Sequence, residues 1–191
     1  LNEDGTLMEI IDPSTGMGTG TFWAETTPLP EALHSMGVAI FRGAIYVVGG
    51  ATTDNTPVAS VYRARPDEQG ELSAWVPMTS LPSARAYHDA RTFGGFLYSV
   101  GGETAAVDPN DANFVTNDSK LDEVVYVPIN LRNGDIDAVA WTVNANGLSK
   151  KRSKHSMLVA GGNIFVSSGL YSGIGLTGSS ENTYAQIFAD G

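Results

Sequence analysis

The stretch Ile45-Tyr46-Val47-Val48-Gly49-Gly50 decides how this chain folds, because it returns in altered form at two further places. The second copy reads Leu97-Tyr98-Ser99-Val100-Gly101-Gly102. A third, decayed copy reads Ile164-Phe165-Val166-Ser167-Ser168-Gly169. Seventeen positions before each aromatic anchor stands a leucine, Leu29, Leu81 and Leu148, the first two followed by Pro30 and Pro82. Gly43, Gly95 and Gly162 lie three positions before the same anchors, with no insertion in any copy. A tyrosine follows in each, Tyr62, Tyr126 and Tyr184, and then a tryptophan, Trp75 and Trp141, with Trp23 serving the copy before. The periods are 52 residues from Trp23 to Trp75 and 66 from Trp75 to Trp141. A single Gly pair carries no information, but three copies in register are an internal repeat.

Each unit offers about four short strands. In the best copy they are predicted over Met36–Phe41, Ala44–Gly49, Val58–Ala64 and Leu72–Pro77. The breaks are Arg42-Gly43, residues 51–57 and Pro66-Asp67-Glu68-Gln69-Gly70. The first two strands are apolar nearly throughout, as in strands sandwiched between neighbours. One such sheet cannot bury both faces alone, so the units must stack. The tryptophans and tyrosines are read as packing between units, and Gly49, Gly50, Gly101 and Gly102 as strand-ending repeat marks.

The order of apolar strand, Gly-Gly, Tyr and Trp resembles the kelch family of β-propellers, whose repeats run to ~50 residues, and it covers nearly the whole chain. The resemblance implies an all-β fold, a β-propeller segment of about three kelch-type four-stranded blades with the first and last incomplete. Residues 1–27 are expected to end a preceding blade, and 28–77 to form a blade. Residues 78–143 form a blade with a long loop at 103–122, and 144–191 a blade lacking its last strand. Asp190-Gly191 matches Gln69-Gly70 and Asn133-Gly134, the turn before the Trp strand, while Thr21-Phe22-Trp23-Ala24 is such a strand without most of its blade. Propellers close with at least ~4 blades. The remaining blades are therefore expected from the same longer chain, or alternatively from another copy that completes the ring.

The composition narrows the partners. Net charge is −10, with 11 basic residues against 21 acidic. That argues against nucleic acid, whose binders need a basic footprint, and against anionic membrane surfaces. The one basic cluster, Lys150-Lys151-Arg152 with Lys154, reads as a solvated loop. No apolar run approaches the ~18 residues of a membrane span, so no membrane insertion is expected. There is no Cys, which removes disulfides and thiolate metal sites. Abundant Gly, Thr and Ser with an acidic balance lean toward an extracellular or cell-surface protein. Leu1 is not preceded by a recognisable secretion signal.

Function is expected on the face that joins the blade lead-in to the loop between strands two and three. All length variation falls there: Tyr62 follows Gly50 by 12 residues, Tyr126 follows Gly102 by 24, and Tyr184 follows Gly169 by 15. Variable polar loops on a rigid scaffold are where binding resides. Arg85 and Arg152 occupy equivalent positions there, where the first copy has Leu33; His88 and His155 are equivalent too, in place of Met36. An arginine at a channel mouth suits carboxylate ligands, and Glu103 joins Arg85, His88, Arg152 and His155 as a candidate binding residue. The alternative is architectural, with these side chains tying the lead-in to adjacent backbone. In the long loop, Asp108, Asn110 and Asp111 have the oxygen ligands that Ca²⁺ takes, although Ala112 breaks the EF-hand spacing. A solvated loop is the competing reading. Asn117-Asp118-Ser119 fits the N-glycosylation pattern.

No catalytic constellation stands out: no Ser-His-Asp order, no paired carboxylates, and no phosphate-cradling glycine loop. The first expectation is therefore a non-catalytic scaffold presenting loops to a protein or glycan. The kelch resemblance also implies an enzyme alternative, of the galactose oxidase or sialic-acid mutarotase kind. The former needs a Cys–Tyr cross-link, and this chain has no Cys. A third reading is a structural repeat of an extracellular surface layer or fibre. Intracellular relatives often carry a BTB or F-box domain, and none is read in these 191 residues.

Overall fold

Each repeat begins as two apolar strands joined by a two-residue hairpin loop, which needs positive φ at both positions. The chain meets this with Arg42 and Gly43 (φ 48° and 76°), Gly94 and Gly95 (61° and 88°), and Gly161 and Gly162 (56° and 76°). The structure is a computed structural model, and it describes residues 6–7, 9–12, 14–18, 20, 23–105, 119–136, 140–171 and 180–187. All regular elements among the described residues are β-strands, in agreement with the all-β expectation.

The first sheet is an antiparallel meander of β1 (Gly37–Phe41), β2 (Ala44–Val48), β3 (Val61–Ala64) and β4 (Val76–Pro77). The second repeats it with β5 (Asp89–Phe93), β6 (Phe96–Val100), β7 (Val124–Pro128) and β8 (Thr142–Val143). The third has β10 (Ser156–Ala160), β11 (Asn163–Ser167) and β13 (Asn182–Gln186), while β9 (Arg152–Ser153) pairs with β12 (Leu170–Tyr171) beside it. Hairpin registers coincide: Tyr46 faces Ala39, Tyr98 faces Arg91, and Phe165 faces Leu158.

Two strands are shorter than predicted. Val58 and Ala59 lie outside β3 because their carbonyls accept the N–H groups of Arg85 and Leu81, from the segment leading into the next sheet. Leu72 lies outside β4, bridging to Pro66 and donating its N–H to Thr26 Oγ1 at 2.8 Å. The tyrosine mark also slips by one. Tyr126 faces Tyr98 and Tyr184 faces Phe165, but Tyr46 faces Arg63, and Tyr62 faces Val47. A one-residue slip moves a side chain to the opposite face. Tyr62 accordingly gives its hydroxyl proton to Glu31 at 2.9 Å.

The sheets stack as blades. β1 lies against β5, and β5 against β10, which places the first strands along a common axis. One core cluster joins the first two sheets through Tyr46, Val48, Leu97, Val125, Val127 and Trp141. A second joins the next pair through Tyr98, Val100, Met157, Ile164 and Val166. The turn at 130–135 fastens the first pair further: Tyr46 donates to the Gly134 carbonyl, and Arg63 reaches Asp135 at 2.9 Å.

Candidate functional site

Backbone pairing sets the site. The residue after each Gly pair bridges to the segment leading into its own blade: Ala51 to His34, Glu103 to Ala86, and Leu170 to Ser153. Lead-ins and loops between second and third strands therefore share one end of the stack, and the length variation gathers there. Adjacent blades are stitched at the same level. Gly50 donates to the Arg85 carbonyl and Gly102 to that of Arg152, both at 2.9 Å. Nearer the axis, Tyr87 N–H donates to the Ser35 carbonyl at 2.9 Å, and Lys154 N–H to that of Tyr87 at 2.8 Å. Ser35, Tyr87 and Lys154 hold one repeat position, each at φ 55°. Left-handed backbone costs a non-glycine about 1–2 kcal/mol, and the file of hydrogen bonds holds it in place.

Arg85 and Arg152 are buried between blades. Arg85 Nη1 donates to the Gly101 carbonyl at 3.4 Å, and Nη2 to Ser83 Oγ at 2.8 Å and Glu123 Oε2 at 2.7 Å. Arg152 Nη1 donates to the Ser168 carbonyl at 3.2 Å, and its Nη2 lies 3.9 Å from Glu181 Oε2. Burial pulls the Arg85 guanidinium below its usual range, and Glu123 opposes that pull. Glu123 and Glu181 escaped the sequence reading, yet both stand three positions before a repeat tyrosine. Their carbonyls accept the N–H of Gly101 and Ser168; in the first blade, Ser60 does this for Gly49. So the copy that lacks the arginine, with Leu33, also lacks the carboxylate.

His88 and His155 fill the spaces beside the Gly pairs. A methyl group on Gly49 would lie 2.8 Å from His88 Cε1, and one on Gly101 would lie 2.8 Å from His155 Cε1. On the other side, the Cβ of each histidine sits 2.8 Å from where a methyl on Gly102 or Gly169 would be. No ring nitrogen of either histidine has a hydrogen-bond partner. Burial, helped by the charges of Arg85 and His155, lowers His88 to about 3. Burial also lowers His155 to about 4, against the pull of Asp89. Glu103 is buried too; its Oε1 accepts the Ser153 hydroxyl across the blade boundary. The five candidate binding residues thus meet in one layer, but their side chains lie between blades.

What that end of the stack presents outward is Tyr87. Lys154 Nζ stands 4.6 Å from its ring centroid and the His34 ring lies at 6.3 Å. Lys150 likewise sits 5.1 Å over Tyr171 and pairs with Glu181 at 2.6 Å. The basic cluster is therefore a stacked and paired group, with Arg152 buried, where a solvated loop was expected. Tyr87 was missed; its signal is its place one residue before a repeat histidine, matching Ser35 and Lys154. The calcium candidates Asp108, Asn110 and Asp111 lie outside the described residues. Among those described, no three His, Cys, Asp or Glu gather as a metal cage.

The aromatic repeat marks divide. The Trp75 and Trp141 indoles donate to the carbonyls of Thr27 and Thr79, both at 3.0 Å, tying each outer strand to its blade's lead-in. Trp23 and Tyr184 are 81% and 73% exposed.

The fold and this stitching define a propeller-type stack of repeated blades, and comparison with known proteins identifies the repeat. No family model matches the chain. Over 88 residues it is 32% identical to Kelch-like protein 13 of Mus musculus, covering 44% of this chain and 13% of that protein. Over 108 residues it is 32% identical to Kelch-like protein 23 of Homo sapiens, covering 56% and 18%. Over 95 residues it is 28% identical to Beta-scruin of Limulus polyphemus, covering 50% and 10%. The chain thus spans less than a fifth of the length of these relatives. The solved structure of YjhT superposes with a TM-score of 0.61 at 15% identity, covering 90% of this chain and 47% of that one. The blades are kelch repeats, and the chain is a segment of kelch β-propeller.

Proposed function

We propose that this chain is a non-catalytic binding scaffold that holds a protein partner on the loop-bearing face of its blades. Tyr87, flanked by Lys154 and His34, is the anchor. The observation that carries this reading is the division of side chains at that end. Arg85, Arg152, His88, His155 and Glu103 are buried between blades. Tyr87 with its stacked cation remains at the axis, among the loops of variable length. Aromatic residues and cations at the centre of a rigid surface supply most of the energy of protein recognition. The partner is expected to offer a carboxylate or an aromatic ring to Lys154 and Tyr87. An extracellular or cell-surface setting belongs to the same proposal.

The test is capture with immobilised wild-type protein and with Tyr87→Ala and Lys154→Glu, followed by titration of each captured protein. A partner whose Kd rises at least about tenfold in both variants, with thermal unfolding unchanged, supports the reading. Capture indifferent to both substitutions overturns it. Retention on a glycan array, or accelerated mutarotation of a reducing sugar, would instead favour a carbohydrate function. That chemistry would require Arg85 and Arg152 to leave their carboxylates.

A further inference from the structure

Between the second and third sheets runs a groove of about 850 Å³, lined by Tyr98, Val124, Tyr126, Leu148, Ile164 and Val166 among others. Between the first and second sheets the corresponding space is filled, and Trp141 of the outer strand is part of the filling. In the first two sheets the residue after the repeat tryptophan pairs with the third strand: Val76 with Arg63, and Thr142 with Tyr126. The matching residue of the third sheet is Tyr184, and among the described residues no strand pairs with the outer edge of β13. The carbonyls that receive the Trp75 and Trp141 indoles belong to Thr27 and Thr79, four residues after Trp23 and Trp75. Four residues after Trp141 comes Ala145, which lines the groove. The groove therefore has the features that seat a repeat tryptophan elsewhere: an apolar wall, a free strand edge and a carbonyl in the repeat position.

The chain also carries a repeat tryptophan outside any blade, the exposed Trp23. It cannot fill the groove of its own molecule. Thr27, four residues on, is fixed to the first blade by the Trp75 indole and by its own hydroxyl bond to Leu72. Four residues span at most ~14 Å, and the second sheet stands between. A second molecule has no such restriction. Two copies also match the length of one solved propeller, since 90% of this chain aligns with 47% of the YjhT chain.

We infer that two copies of this chain associate head to tail, the Trp23 segment of each inserting into the groove between the second and third sheets of the other. Ala24 pairs opposite Tyr184, Trp23 enters the groove, and three blades from each copy make one ring of six. Head-to-tail contacts of this kind either close as rings or run on as filaments, and a length of half a propeller favours closure at two. The inference rests on the repeat geometry and is independent of what the loop face binds.

Light scattering on the 191-residue chain tests it. The expected mass is twice 20.1 kDa at concentrations on the order of 100 μM. Trp23→Ala, at the donor, and Tyr184→Asp, at the acceptor edge, each weaken association at least about tenfold. Both side chains are exposed in the single molecule, so circular dichroism of each variant matches the wild type. An equimolar mixture of the two variants regains a dimer, because Trp23→Ala keeps an intact groove and Tyr184→Asp an intact donor. A wild-type monomer at that concentration overturns the inference. So does a dimer indifferent to Trp23→Ala, or a mixture that fails to associate.

Discussion

His88 is closed in by Gly49 of the preceding blade, by Gly102 of its own and by the Ala90 side of β1 and β5, and no polar group meets its ring nitrogens. Only the neutral ring fits such a place. Above about pH 6.5 both His88 and His155 are neutral in folded and unfolded chains alike, and they add no pH dependence. As pH falls from 6.5 toward about 4 for His155 and about 3 for His88, the unfolded chain takes up protons that the folded chain refuses. Stability should then drop by up to about 1.4 kcal/mol per pH unit for each histidine. Urea midpoints between pH 7.5 and 5 measure the slope. His88→Met, which copies the first blade's Met36, should reduce it, and an unchanged slope would refute the assignment. Arg85 poses the complementary problem, a buried charge held by one carboxylate. Glu123→Ser strands it and should cost about 1–3 kcal/mol, less than for a fully buried pair because Glu123 is 37% exposed. Arg85→Leu with Glu123→Ser reproduces the Leu33 and Ser60 of the first blade. It should recover most of that loss in the same urea assay, because replacing both partners of a buried pair is far milder than removing one.

At the scale of elements, two kinds of glycine in the same repeat separate by their surroundings. Gly94 has positive φ but nothing within 4 Å of an added methyl, and Arg42 already occupies the equivalent turn position. Gly49 has positive φ, and its added methyl would fall 2.6 Å from the Arg85 carbonyl oxygen. Gly94→Ala should therefore cost about 1–2 kcal/mol. Gly49→Ala, which pushes two blades apart, should cost at least about 3 kcal/mol. Thermal unfolding of the two variants compares them, and equal costs would refute the close approach of the blades. The hairpins, their order and the stacking were legible because Tyr46, Tyr98 and Phe165 keep fixed distances from Leu29, Leu81 and Leu148, with no insertion between. The face of Tyr62 was not legible, because the connection before it changes length in every copy and a slip of one residue leaves no trace in the pattern. Nor was the inward turn of Arg85. Burying a guanidinium requires a partner, and Glu123 lies 38 residues away across the loop of greatest length.

At the scale of the whole molecule, the stack separates what holds it together from what it displays, and the long second loop tests that separation. Glu103 bridges to Lys120, and Thr104 N–H donates to the Ser119 carbonyl at 2.9 Å, so the loop is pinned at its base. The first blade closes the same connection with a short turn: Ala51 bridges to Pro57, and Thr52 N–H donates to the Thr56 carbonyl at 3.0 Å. Grafting Thr53-Asp54-Asn55 in place of residues 105–118 joins two anchors already in the required geometry. Loop-closure entropy changes only with the logarithm of length, so stability should shift by less than about 1 kcal/mol. Binding should respond differently. If the loops of this face surround the Tyr87 anchor, the graft removes flanking contacts and leaves the anchor and Lys154 in place. Calorimetric titration of the captured partner should then show weaker binding that is not abolished, while Tyr87→Ala on the grafted chain removes the remainder. A graft that unfolds the protein would mean the long loop is part of the scaffold. Undiminished affinity in the graft would confine recognition to the axis itself, where Ser35, Tyr87 and Lys154 stand in their hydrogen-bonded file.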